Sequence, residues 1–103
     1  MLTARIIPCL DCRDGRVVKG VQFNGLRDAG CPIQMSLNYQ NQGADELILL
    51  DVSATPEGRG HQIETVKNVR QELNITLTCG GGVRICEDAG RLLEAGAYKV
   101  SVN

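Results

Sequence analysis

Tryptophan is absent from these 103 residues, and two tyrosines and one phenylalanine are the only aromatics. A core built here must be filled by aliphatic side chains, which a 43% hydrophobic composition supplies. An excess of one charge is lacking too, since 11 basic against 12 acidic residues leave a net charge of −1. That balance argues against nucleic acid or an anionic membrane surface as the main partner. No apolar run approaches the roughly 20 residues of a membrane span. Met1–Arg5 lacks the basic-then-apolar layout of a secretory signal, so the expected compartment is the cytoplasm. With 22% charged residues and Val, Ile and Leu throughout, the chain is not a candidate for disorder. At this length a single domain is expected.

Five cysteines make an odd number with no secretion signal ahead of them, so a disulfide scaffold is not expected. Cys9 and Cys12 form a C-x-x-C, with Cys79 and Cys86 further on. On a continuing strand Cys9 and Cys12 point to opposite faces. The gap between Cys79 and Cys86 is wider than the tight knuckles of structural zinc sites. The cysteines are therefore read as small buried apolar side chains. Neither a metal nor a cofactor is expected.

Along the chain, Arg5–Asp11 reads as a strand ending in a carboxylate. A glycine-spaced stretch follows, in which Asp14-Gly15 signals a turn and a small hairpin within a long loop. Pro32 suits the first turn of a helix that stops at Gly43. Asp45–Asp51 is a second strand ending in Asp, and Ser53–Gly60 a second loop. A helix follows from about His61 to Leu73, with Ile63, Val66, Val69 and Leu73 as its apolar stripe. Ile75–Cys79 is a third strand, stopped by Gly80–Gly82. A helix over Ile85–Ala95 carries Glu87 and Asp88 at its positive end. Tyr98–Asn103 is a fourth strand.

The βαβαβαβ order implies a parallel sheet covered by helices. The helix stop and strand at Gly43–Leu50 recur at Gly96–Asn103, so the chain holds two βαβα units of about 50 residues. The expected fold is α/β, a (βα)4 half barrel of the TIM-barrel type with helices on its outer face. An open flavodoxin-like sheet is the competing architecture. A half barrel leaves edge strands at Arg5–Asp11 and Tyr98–Asn103, and Ile7, Ile48, Leu50 and Leu77 on an uncovered face.

In barrels the chemistry sits at the C-terminal ends of the strands. Here those ends are Asp11, Asp51, the Gly80–Gly82 run and Asn103. A carboxylate there can exchange a proton with substrate. Successive glycines let backbone N–H groups converge on a phosphate, and the Asn amide adds a donor. Lys19, in the long loop, can close over an anion. Counting back by two from Asp11 puts Arg5 on the inward face, where Glu46 and Lys99 can meet it at the strand starts. Such a trio is either a salt-bridge plug or a gated opening.

The segments Ile6–Asp11, Asp14–Gly20, Gly43–Leu47, Asp51–Ala54, Gly80–Gly82 and Lys99–Asn103 together resemble the family of imidazole glycerol phosphate synthase cyclase subunits, over essentially the whole chain. The resemblance implies a (β/α)8 barrel of histidine biosynthesis. Such a barrel takes ammonia from a glutaminase partner, closes an imidazole ring and cleaves a bisphosphate substrate. It makes Asp11 one of two catalytic carboxylates, Lys19 a substrate-closing residue and Asp51 a supporting acid. It places one phosphate at Gly81, Gly82 and Asn103, and makes Arg5, Glu46 and Lys99 an ammonia gate. The family's second carboxylate and second phosphate site have no counterpart among these 103 residues, and Tyr98 stands where the family commonly has an acidic residue. The expectation for the chain alone is a self-associating, phosphate-binding fold module, a homodimer with at most trace cyclase activity. The alternative is an active ammonia-dependent cyclase, completed by dimerisation or by a separate second half.

Overall fold

Leu10 and Cys12, Leu47 and Leu49, and Leu77 and Cys79 are buried pairs spaced two residues apart, the mark of strands with one covered face. In the computed structural model, which describes residues 4–21, 25–53, 56–83 and 86–102, they lie on three neighbouring strands. In chain order the elements are β1 (Cys9–Arg13), β2 (Arg16–Val21), β3 (Gly25–Gly30), α1 (Pro32–Asn41), β4 (Glu46–Asp51), α2 (Pro56–Glu72), β5 (Thr76–Gly80), α3 (Cys86–Ala95) and β6 (Lys99–Ser101). The strands form one sheet ordered β3-β2-β1-β4-β5-β6.

The pairs β1–β4, β4–β5 and β5–β6 are parallel. Because these four strands lie side by side in chain order, right-handed crossovers of one hand put every helix on the same face. An open doubly wound sheet would reverse the order partway, so the barrel-type alternative is the one adopted. Val66, Val69 and Leu73 from the α2 region and Leu92 and Ala95 from α3 join Leu10, Leu47, Leu49 and Leu77 in one core, with Ile33 and Leu37 of α1 packed against it.

Among the described residues the other face carries no helix. Cys9, Asp11 and Arg13 are exposed on it, Ile48, Leu50, Thr76 and Thr78 are half-buried, and Lys99 and Ser101 are exposed. Leu77 does not belong to this face. Its register partner is Leu47, while Ile48 lies beside Thr78, so Leu77 points into the helix layer and is fully buried.

The hairpin expected at Asp14-Gly15 is present, and part of the segment read as a second loop is helical. Asp14 and Gly15, at φ 51° and 81°, form the two-residue turn that suits the twist of a hairpin, and β2 returns along β1 through Cys12↔Val17 and Arg13↔Arg16. With β3 paired to β2, this hairpin covers only the C-terminal part of the β1 edge. The second helix begins at Pro56 rather than near His61. Proline is at ease in a first turn, and the roughly 1 kcal/mol that each of Gly58 and Gly60 costs is borne by a helix anchored through its later, packed turns. The pairing of β1 with β4 also starts early: Asp45 N donates to Ile6 O at 2.9 Å and Ile6 N to the Asp45 carboxylate at 2.7 Å.

Candidate functional site

At the N-terminal end of the parallel strands stands Glu46, the first residue of β4, with its side chain only 7% exposed. A carboxylate so far out of water needs partners. Arg5 Nη2 lies 3.1 Å from one of its oxygens and Lys99 Nζ 3.6 Å from the other. Arg5 arrives from ahead of β1 and Lys99 opens β6, so three separated segments meet over the open face. The Arg5 and Lys99 side chains are 65% and 57% exposed, so the trio keeps a hydrated rim and a net positive charge. The sequence placed these three together, and the geometry does too.

At the C-terminal end is a cleft of about 330 Å³, lined by Leu50, Asp51, Val52, Gly81, Gly82, Val83 and Ser101. Gly81 has φ +87°, and a Cβ built there would lie 2.1 Å from the carbonyl oxygen of Asp51. The turn after β5 therefore presses against the end of β4, and only glycine fits. Asp51 is 9% exposed. Its Oδ1 accepts from Ser53 N at 2.7 Å, while its buried Oδ2 has no partner among the described residues. Asp51 also lines a water-sized void with Cys12, Gln62 and Thr65 beneath the cleft.

The remaining site residues are dispersed. Asp11 projects from β1 on the open face beside Leu50 of β4 and is exposed, whereas Asp51 shares the parity of Leu47 and Leu49 and turns away from that face. The two aspartates thus share a rim but not a surface. Lys19 is exposed on β2 opposite Arg27 and does not line the cleft. Asn103 lies outside the described residues. The sequence reading missed Ser101, which lines the cleft, and Gln62, which reaches the glycine turn from α2. Gln62 belongs to no motif and Ser101 is an unmarked member of the Lys99–Asn103 segment, and the reach of both depends on how α2 and β6 register against β5.

The cysteines on strands divide by parity, and the two at helix starts are outside the core. Cys12 and Cys79 are buried, Cys9 and Cys86 exposed and Cys31 between, which corrects the reading of the set as buried apolar side chains. Cys9 and Cys12 do face opposite ways on β1. Burial, then the charges of Asp51 and Asp11, pushes the Cys12 thiol up from 9.0 to about 12. Burial, then Cys12, pushes the Cys79 thiol up to about 12. Burial and then Asp11 raise Cys9 more modestly. At pH 8 a thiol reagent should label Cys86 quickly and Cys9 more slowly, and reach Cys12 and Cys79 only after denaturation. Native labelling of Cys12 or Cys79 at the rate of Cys86 would contradict this. The sign for stability follows: an unfolded thiol ionises near 9.0 and the folded Cys12 and Cys79 near 12. Their contribution is complete below pH 9 and is lost as pH rises toward 12.

Parallel strands in chain order, helices on one face, and a polar rim at the strands' C-terminal ends define a protein of the (β/α)-barrel class. The chain belongs to the histidine biosynthesis protein family, whose sequence model matches residues 5–103 and whose fold is the TIM barrel. It is 57% identical to the imidazole glycerol phosphate synthase subunit HisF of Cytophaga hutchinsonii. It is 56% identical to that of Geobacillus kaustophilus and 58% to that of Halalkalibacterium halodurans. Each match runs over 103 residues, all of this chain and 41% of the relative. The chain thus spans about two fifths of the length of these relatives. Among the described residues no helix is long and apolar enough to cross a membrane.

Proposed function

We propose that the chain carries the first half of an ammonia-dependent cyclase and lyase of the imidazole glycerol phosphate synthase type. In this reading Asp11 is one of a pair of acid–base carboxylates facing the reaction chamber. Lys19 closes over the substrate from the hairpin, and Asp51 supports the chemistry at the mouth. Gly81, Gly82 and Asn103 hold one of two substrate phosphates. Arg5, Glu46 and Lys99 gate the opposite end, where ammonia would enter from a glutaminase partner.

The observation that supports this most is the polarity of the open sheet face. A charged trio on a buried carboxylate stands at one end and a glycine-lined cleft at the other, with Asp11 exposed on the same face beside Leu50 of the cleft wall. A substrate held by its phosphate in the cleft would extend across that face past Asp11. Ammonia released at the trio would reach the same face without crossing the helix layer.

On its own the chain is a phosphate-binding fold module that pairs with a second copy. The open face exposes Ile7, the stretch leading into β1 that the hairpin leaves unpaired carries Ile6, and the β6 edge carries Tyr98 and Val102, all at least 41% exposed. A two-fold dimer joining the β1 edge of one copy to the β6 edge of the other would cover both. The phosphate part is tested by titrating inorganic phosphate and following backbone amides by NMR. The signals of Gly81 and Gly82 should move, with an affinity in the millimolar range. A titration that leaves this run unmoved removes the site.

A further inference from the structure

Three successive glycines accept many backbone conformations, so the Gly80–Gly82 turn does not by itself fix where its amides point. A side chain from the helix layer supplies that constraint. Gln62, half-buried on α2, donates its Nε2–H to the carbonyl oxygen of Gly80 at 2.8 Å and to that of Gly81 at 3.4 Å. In a trans peptide the C=O and the following N–H point in opposite directions. Holding the Gly81 carbonyl toward α2 therefore turns the Gly82 N–H away from the helix layer, to the side where Gly82 is exposed and lines the cleft. On its other flank the turn is closed by the Asp51 backbone, which leaves no room at Gly81 for even one added carbon.

We infer that Gln62 is a positioning residue for the mouth of the site: it clamps the Gly80 and Gly81 carbonyls from beneath and so presents the Gly82 amide to an anionic group bound in the cleft. The part concerning the anion rests on the phosphate reading above; the clamp does not. Gln62 touches no substrate in this arrangement and acts through the backbone of the turn. Its reach also explains its place in the void under Asp51, where it shares a wall with Thr65 and Cys12. A hydrophobic side chain at this point of α2 would fill the same space and leave the turn unheld.

The test is backbone and side-chain NMR on the whole chain and on Gln62→Met, which keeps length and bulk but removes the donor. In the unsubstituted chain the Gln62 side-chain amide protons should exchange slowly with solvent and show contacts to the glycine turn. In Gln62→Met the Gly81 and Gly82 amide signals should move and broaden while those of β4 and α3 stay in place. Inorganic phosphate should then bind about threefold to tenfold more weakly, the loss expected for one misaimed hydrogen bond. A freely exchanging Gln62 amide in the unsubstituted chain overturns the clamp whether or not the variant folds. Unmoved Gly81 and Gly82 signals in a folded Gln62→Met overturn it equally. If phosphate shifts no signal in the unsubstituted chain, the anion reading fails by itself and the phosphate-free spectra still judge the clamp.

Discussion

Gly81→Ala should cost about 2–6 kcal/mol, enough to lower the Tm by at least about 10 °C or to leave the chain unfolded. Two effects add at this position. A φ of +87° strains any side-chain-bearing residue, and the new Cβ would sit 2.1 Å from the Asp51 carbonyl oxygen and 2.7 Å from its nitrogen. Both obstacles are backbone atoms of a central strand end, so neither can swing aside. Two other glycines separate the contributions. Gly43, at φ +97°, has nothing among the described residues within 4 Å of an added Cβ, so Gly43→Ala carries the dihedral strain alone, about 1–2 kcal/mol. Gly90, inside α3 with equally open surroundings, should tolerate alanine with a gain of roughly 0.5–1 kcal/mol. Thermal melts of the three variants should therefore rank Gly90→Ala above the unsubstituted chain, then Gly43→Ala, then Gly81→Ala far below. A Gly81→Ala melt close to that of Gly43→Ala would mean that β4 and the turn after β5 are not in contact.

Asp11→Asn should abolish whatever ammonia-dependent turnover of the bisphosphate substrate the chain supports. An acid–base carboxylate contributes about 10²–10⁴-fold, and the amide neither takes up nor releases the proton. The fold should survive, because Asp11 is exposed on the open face and lies outside the core cluster. The starting activity is expected to be a trace. In a two-fold dimer the two copies of Asp11 stand in identical surroundings, whereas separate acid and base roles need environments that push two carboxylates apart. The dimer also bears an association entropy that a continuous barrel avoids. Turnover should accordingly fall on dilution as well as on substitution. Turnover that persists in Asp11→Asn would place the chemistry elsewhere.

Much of this arrangement was legible in the residues. Glycine stops at Gly43 and Gly80 and apolar runs between them mark the parallel strands, and the period of two brings Arg5, Glu46 and Lys99 to one end without any tertiary information. Other features depend on which face of a strand the helices choose. Thr76-Leu77-Thr78 alternates clearly, but alternation does not say which set is covered, and Leu77 fell on the wrong side until the register with Leu47 fixed it. Asp51 looks in sequence like a second Asp11. The even count from Leu47 turns it under the mouth instead, where one oxygen accepts from Ser53 N. Gln62 carries no signal at all, because its role is a distance between a helix and a turn. The start of α2 was obscured by glycines that usually punctuate loops.

The central claim is that the uncovered face, with its two open edges, is a surface for a second copy of the same fold. Its most direct test is the solution mass at micromolar concentration by sedimentation equilibrium. The account predicts the mass of two chains, dissociating reversibly on dilution. A monodisperse monomer across the micromolar range would contradict it.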